Sequence, residues 1–276
     1  MQVIRTGCMG WSYDDWVGPF YPQRAPQSDF LRLYSSAFDT VEIDSSFYRM
    51  PSARMLEQWR DRTPGEFRFT MKLPRDFTHE GRLLADAIAV EEFEHLAGML
   101  GNKLSCVLIL LPPSSRFEHT FDDLSKLVGM LGSGTRYAVE FRNRSWFRSE
   151  VYRLLEDHGV ALAWSVNQYA ESPPVLTTGM IYLRFIGDRS ISKFDRVRKD
   201  RGEVVGSWAE KVLDAGRKNG ASEAYVFSNN HFAGFAPGTV NMFRKMAGLE
   251  EIRWHESMSG GGEGGWHQTR LDAGGQ

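Results

Sequence analysis

The sequence is poor in cysteine: Cys8 and Cys106 are its only two thiols, and their spacing fits neither a disulfide framework nor a thiolate metal site. Cys106 sits inside an apolar run, where a small buried thiol is expected. No apolar run reaches the roughly 18 residues of a membrane span, and Arg5 and Gly7 stand where a leader would have its apolar segment, so neither is expected and a cytoplasmic location is. Charge of one sign is also missing. With 33 basic and 35 acidic residues the net charge is -2, which removes the global argument for a nucleic-acid coat or an anionic membrane partner and leaves only local basic patches. No Ser-His-Asp pattern, P-loop or dinucleotide fingerprint occurs.

What is present is a folded chain, 42% apolar and 25% charged over 276 residues. Short β-type runs alternate with longer helical patterns: "VIRTG" (3–7), "TVEID" (40–44), "FRFTMK" (67–72), "CVLILL" (106–111), "YAVEF" (137–141), "ALAWSV" (161–166), "IYLRFI" (181–186) and "AYVFS" (224–228). Segments such as "SARMLEQWRDR" and "SEVYRLLEDHG" between them repeat apolar residues at helical spacing, with Ser28 and Ser52 as candidate N-caps and Gly159 and Gly220 beyond helix ends. Eight such units predict an α/β fold, a (β/α)8 TIM barrel in a single domain, 1–256, with helical or near-helical returns. An open doubly wound sheet is the alternative, which the first turn, "GCMGWS", does not favour. The glycine-rich segment 257–276 is expected to be a flexible tail.

In a barrel, strand ends and the loops after them gather at one face, so polar residues there are candidates for a site. Glu42, Lys72, Glu140 and Arg184 interrupt otherwise apolar strands, and a buried charge is costly unless paired. They predict either a compensated salt-bridge layer or the lining of a polar pocket. For an enzyme, Glu42 and Glu140 are the candidate acid or base, with Lys72 beside them. Lys72, Arg142 and Arg184 suit a carboxylate or phosphate, and Asn229 and Asn230 suit an oxyanion. His79 and His231 lie on loops near this end. The stretch "GCMGWSYDDWVGPFYP" (7–22) is expected to wall the barrel mouth through Trp11 and Tyr13, joined by Phe47 and Tyr48, while Trp16, Phe20 and Tyr21 pack beneath.

The blocks "GWSYDDWVGPFYP", "EIDSSFYRMPS", "FRFTMKLPRDFTH", "EFRNRSWF", "IYLRFIG" and "SNNHFAGFAP" resemble, in chain order, the YecE-like family, over most of residues 4–246. The resemblance implies a TIM barrel of unknown function with a shared pocket, and no assigned reaction. Asp44 stands where that family usually has Asn, and Ser228 where an aromatic residue is common. Overall the barrel type is similar to sugar isomerases and abasic-site endonucleases, which use metal clusters. A divalent metal would have to draw on His79, His231, Glu42 and Glu140, none of which has a local ligand spacing. Two functions are expected from these residues: a hydrolase or lyase acting on a phosphorylated or nucleotide-like substrate, or a non-catalytic binder of a nucleic-acid fragment or anionic metabolite. The basic segment 189–203 bears on the second, though a solvated loop explains it as well. The sequence does not fix the oligomeric state.

Overall fold

The computed structural model describes residues 3–78 and 86–259, so His79 and residues 260–276 of the expected tail lie outside the described residues. Eight parallel strands close into one barrel in chain order. They are β1 (Val3–Met9), β2 (Thr40–Ile43), β3 (Arg68–Lys72), β4 (Leu104–Leu110), β5 (Tyr137–Glu140), β6 (Val160–Asn167), β7 (Met180–Gly187) and β8 (Glu223–Ser228). β1 completes the closure by pairing with both β2 and β8. All eight expected strands are present, and the barrel expectation holds.

Strand alternation separates two cores. Cys106 and Leu108 of β4, Ala161 and Ala163 of β6, and Tyr225 and Phe227 of β8 fill the barrel interior. Their neighbours Val107, Ile109, Leu162, Trp164 and Val226 join the larger core beneath the helices. A one-residue slip of any strand would exchange the two sets, so this division fixes the register that brings Glu42, Glu140 and Arg184 inside.

The outer layer comprises α1 (Phe30–Ala37), α2 (Ala53–Asp61), α3 (Ala87–Ala97), α4 (Phe117–Met130), α5 (Ser149–Asp157), α6 (Gly202–Lys218), α7 (Asn230–Ala233), α8 (Ala236–Met246) and α9 (Trp254–Ser259). Ser52 caps α2 by accepting from Met55 N at 3.3 Å, as expected. Ser28 instead lies inside a short turn before α1. One return departs from the expected rhythm, because residues 168–179 between β6 and β7 hold no helix. Pro173 and Pro174 remove two backbone donors there, and the outward Trp164 fills the space by donating to Val175 O at 2.8 Å and packing on Trp208 of α6. The expected tail boundary at 257 falls within α9, whose Trp254 donates to Pro19 O at 3.0 Å and packs against Phe20 and Phe235. No helix among the described residues is long and apolar enough to cross a membrane.

Candidate functional site

At the C-terminal end of the barrel the strand charges converge in two tiers. The lower tier is centred on Arg184 of β7, which is 1% exposed. Its Nε and Nη2 donate to Glu42 of β2 at 2.9 and 2.7 Å, and its Nη1 donates to Glu140 of β5. Tyr182 adds a hydrogen bond to Glu42 Oε2 at 2.7 Å, and its hydroxyl also lies 2.8 Å from Thr70 of β3. Burial works against the charge on Arg184, but Glu140 and Glu42 outweigh it and hold the guanidinium far more basic than usual. Glu140 shows the converse: desolvation raises its pKa, the charges of Arg184 and Arg142 lower it further, and the carboxyl ends below its ordinary value. Both glutamates are fully buried, with their oxygens committed to these partners.

The upper tier opens into a cavity of about 440 Å³. Lys72, at the end of β3, lies in its floor with Nζ 2.5 Å from Asp44 Oδ1 and 3.5 Å from Glu42 Oε1. Loss of water would raise the Asp44 carboxyl, but Lys72 and Arg184 together hold it below its ordinary value, so it is ionised at neutral pH. Arg142, following β5, donates from Nε to Glu140 at 2.8 Å and places its guanidinium 5.7 Å from the ring of Tyr169. Among the described residues, three cations, Lys72, Arg142 and Arg189, thus line the cavity with a single carboxylate, Asp44. Tyr13, Phe47 and Tyr48 supply aromatic wall, and Tyr48 is 67% exposed.

The remaining wall is built where β7 and β8 end. Gly187 has φ 83°, and a Cβ there would lie 2.2 Å from His231 O, so only glycine lets the two strand ends approach this closely. The loop after it carries Arg189 and Phe194 into the lining, beside Asn229, Asn230 and His231. Asn229 Oδ1 accepts from His231 N at 3.0 Å, ordering the start of α7. His231 Nδ1 lies 2.9 Å from Ile191 O; because a carbonyl only accepts, Nδ1 carries the hydrogen and Nε2 is left as the acceptor of the neutral ring.

The opening aromatic stretch braces this wall and contributes little of its surface. Trp16 is fully buried and donates from Nε1 to Asn230 Oδ1 at 3.2 Å, while Asp15 accepts from Phe194 N at 2.8 Å. Phe20 and Tyr21 are buried beneath, Tyr21 stacking on Phe30 with centroids 4.2 Å apart.

Tyr13, Tyr48, Lys72, Arg142, Asn229, Asn230 and His231 are therefore brought together around one cavity. Glu42, Glu140 and Arg184 converge below it and are not in its lining, because their mutual ion pairs fill the barrel axis. Trp11, expected in the wall, instead packs edge-on against Trp59 of α2 and is outside the lining. Sequence reasoning missed Arg189 and Phe194 as wall residues; the available signals were the basic segment 189–203 and Gly187 directly after an apolar strand. Among the described residues, no group of three or more His, Cys, Asp and Glu side chains is placed to hold a metal ion.

The family described as "Protein of unknown function DUF72" matches residues 5–260. The chain is similar to the UPF0759 protein YunF of Bacillus subtilis, 30% identical over 188 residues that make up 63% of this chain and 62% of YunF. It is 25% identical over 145 residues to the UPF0759 protein YecE of Escherichia coli, covering 52% of this chain and 50% of YecE. The matched stretches thus span half to three-fifths of these curated relatives. A crystal structure of a DUF72 family protein from Thermotoga maritima superposes with a TM-score of 0.76 at 29% identity, covering 88% of this chain and 98% of that one. With the barrel, the six sequence blocks and these matches in agreement, the chain belongs to the DUF72 family, of which the YecE-like proteins are part.

Proposed function

We propose that this barrel is a hydrolase or lyase acting on a small phosphorylated or nucleotide-like molecule held in the cavity. One observation carries the reading: among the described residues three cations and a single carboxylate line the cavity, so this wall is rich in hydrogen-bond donors and calls for a ligand rich in acceptor oxygens. A volume of about 440 Å³ suits a small metabolite rather than a polymer.

Asp44 and Lys72 are the pair suited to proton transfer. The ionised carboxylate accepts a proton from an attacking water or a substrate hydroxyl, and the ammonium 2.5 Å away returns one to the departing oxygen. His231, with Nε2 free to accept, stands as a second base across the cavity. Glu42 and Glu140 do not touch a ligand in this scheme. They fix where Lys72 and Arg142 point, which makes them positioning residues.

The test is release of inorganic phosphate from a panel of sugar phosphates and nucleoside monophosphates. Turnover by the wild-type protein that falls at least about 100-fold in Lys72→Met supports the reading. Binding without turnover, weakening steeply with salt, supports the second one: a non-catalytic binder of a nucleic-acid fragment or anionic metabolite. The observation favouring that reading is aromatic. Tyr48 is 67% exposed and Tyr169 50% exposed, the latter beside Arg142, as a stacking platform for a base requires.

A further inference from the structure

The donors of the cavity are not equivalent, and the difference gives the ligand a direction. On the β2, β3 and β5 side each cation already has an acid: Lys72 pairs with Asp44 and Glu42, and Arg142 with Glu140. On the β7 and β8 side two donors, Asn230 Nδ2 and Arg189, have no partner among the described residues. Asn230 is 2% exposed, and its Oδ1 accepts twice, from Trp16 Nε1 at 3.2 Å and from Ala236 N at 2.9 Å. Both partners can only donate, so the amide has one permitted orientation, with Nδ2 turned away from them. That Nδ2 is buried and has no hydrogen-bond partner among the described residues. A buried amide N–H without an acceptor is destabilising, and such a group in a native structure calls for an occupant.

Arg189 stands in the same wall. It is the one residue other than glycine with positive φ among the described residues, at 61°, and its side chain has no hydrogen bond or ion pair among them. The turn that carries it is pinned from both sides. Asp188 accepts from Ser190 N at 3.0 Å and from Lys199 Nζ at 2.9 Å, so the acid next to Arg189 is committed to other partners.

We propose that Asn230 Nδ2 and Arg189 form an oxyanion subsite, and that the ligand enters with its phosphate there and its ester oxygen and uncharged, hydroxyl-bearing remainder toward Asp44 and Lys72. The inference rests on the anionic-ligand reading above and adds a polarity to it. His231, on the same wall, completes the subsite by offering Nε2 to the proton of a monoprotonated phosphate.

Inorganic phosphate is the probe, titrated into the full chain with its asparagines selectively labelled with nitrogen-15. The side-chain amide signal of Asn230, assigned by its loss in Asn230→Asp, should move on phosphate addition. Asn230→Asp keeps the acceptor that Trp16 and Ala236 need, replaces the free donor with an acceptor oxygen and adds a carboxylate charge, both of which oppose a bound oxyanion. Arg189→Gly removes the charge and relieves the positive φ, so it folds at least as stably as the wild type. Each variant should weaken phosphate binding about ten-fold or more, and Lys72→Met should weaken it less than either. Phosphate binding that survives both variants within about two-fold, or that Lys72→Met alone abolishes, overturns the subsite and leaves the anionic reading standing. Absence of phosphate binding to the wild type overturns both.

Discussion

At the N-terminal end of the barrel, Lys103 donates to Thr63 O at 2.6 Å and Thr63 Oγ1 at 3.1 Å, and also to Arg60 O. Arg5 pairs with Asp39 at 3.6 Å and donates to Glu66 O, and Arg244 reaches Thr6 Oγ1 at 3.1 Å. At the C-terminal end Arg184 is saturated in the same way, but around the cavity at that end Arg189 and Asn230 Nδ2 have no partner among the described residues. The sequence places charge at both ends, and what separates them is whether the protein supplies the complementary group itself. An end whose charged groups are closed on the protein's own partners holds the fold together, whereas unpaired donors around a cavity prepare it for an outside partner.

The largest effect expected from this contrast is on stability, from the saturated tier. Arg184→Met leaves Glu42 and Glu140 buried without their shared cation and should cost about 3–5 kcal/mol in urea unfolding. A cost below about 1 kcal/mol would mean that the ion triplet does not hold the axis together. Lys103→Met removes three hydrogen bonds at the opposite end and should cost about 1–3 kcal/mol, with phosphate affinity unchanged in calorimetry. A loss of affinity there would break the distinction between the ends.

Acid should separate them further. Asp44 and Glu140 are held below their ordinary values of 3.8 and 4.5, the charges of their basic neighbours outweighing desolvation. Because the folded protein binds these protons less readily than the unfolded chain, their contribution is complete above pH 4.5 and is lost as the pH falls through the lowered folded values. Asp39 at the other end is raised above 3.8 because burial outweighs Arg5 and Arg244. Its contribution runs the opposite way: it is present below its ordinary value and lost as the pH rises through the folded one. The urea midpoint of Glu140→Gln should therefore decline less steeply in acid than that of the wild type, and that of Asp39→Asn more steeply. The smallest stability effect belongs to Lys72→Met, about 1–2 kcal/mol, accompanied by loss of turnover.

Much of this was legible in the sequence. The strands of a parallel barrel are covered on both faces, so they read as apolar runs, and a charge inside such a run stands out, as Glu42, Glu140 and Arg184 do. Depth was not legible. Both a salt-bridge layer and a pocket lining were consistent with those charges, and the barrel contains one above the other because the closing pairs form between β2, β5 and β7, far apart in sequence. The absence of a helix between β6 and β7 was readable from Pro173 and Pro174, yet the filling of that space by Trp164 depends on packing that periodicity does not report. The brace on Asn230 was hidden for the same reason, since Trp16 lies 214 residues away in the chain. Arg189 sat in a segment that solvation explained equally well, and only the approach of Gly187 to His231 turns it toward the cavity.

The most direct test of the account is the melting temperature of the wild-type chain across a concentration series of inorganic phosphate, with sodium chloride holding ionic strength constant. A cavity prepared for an oxyanion predicts a melting temperature that climbs with the logarithm of phosphate once the site fills, because only the folded state binds. A melting temperature that stays flat over the whole series would contradict it.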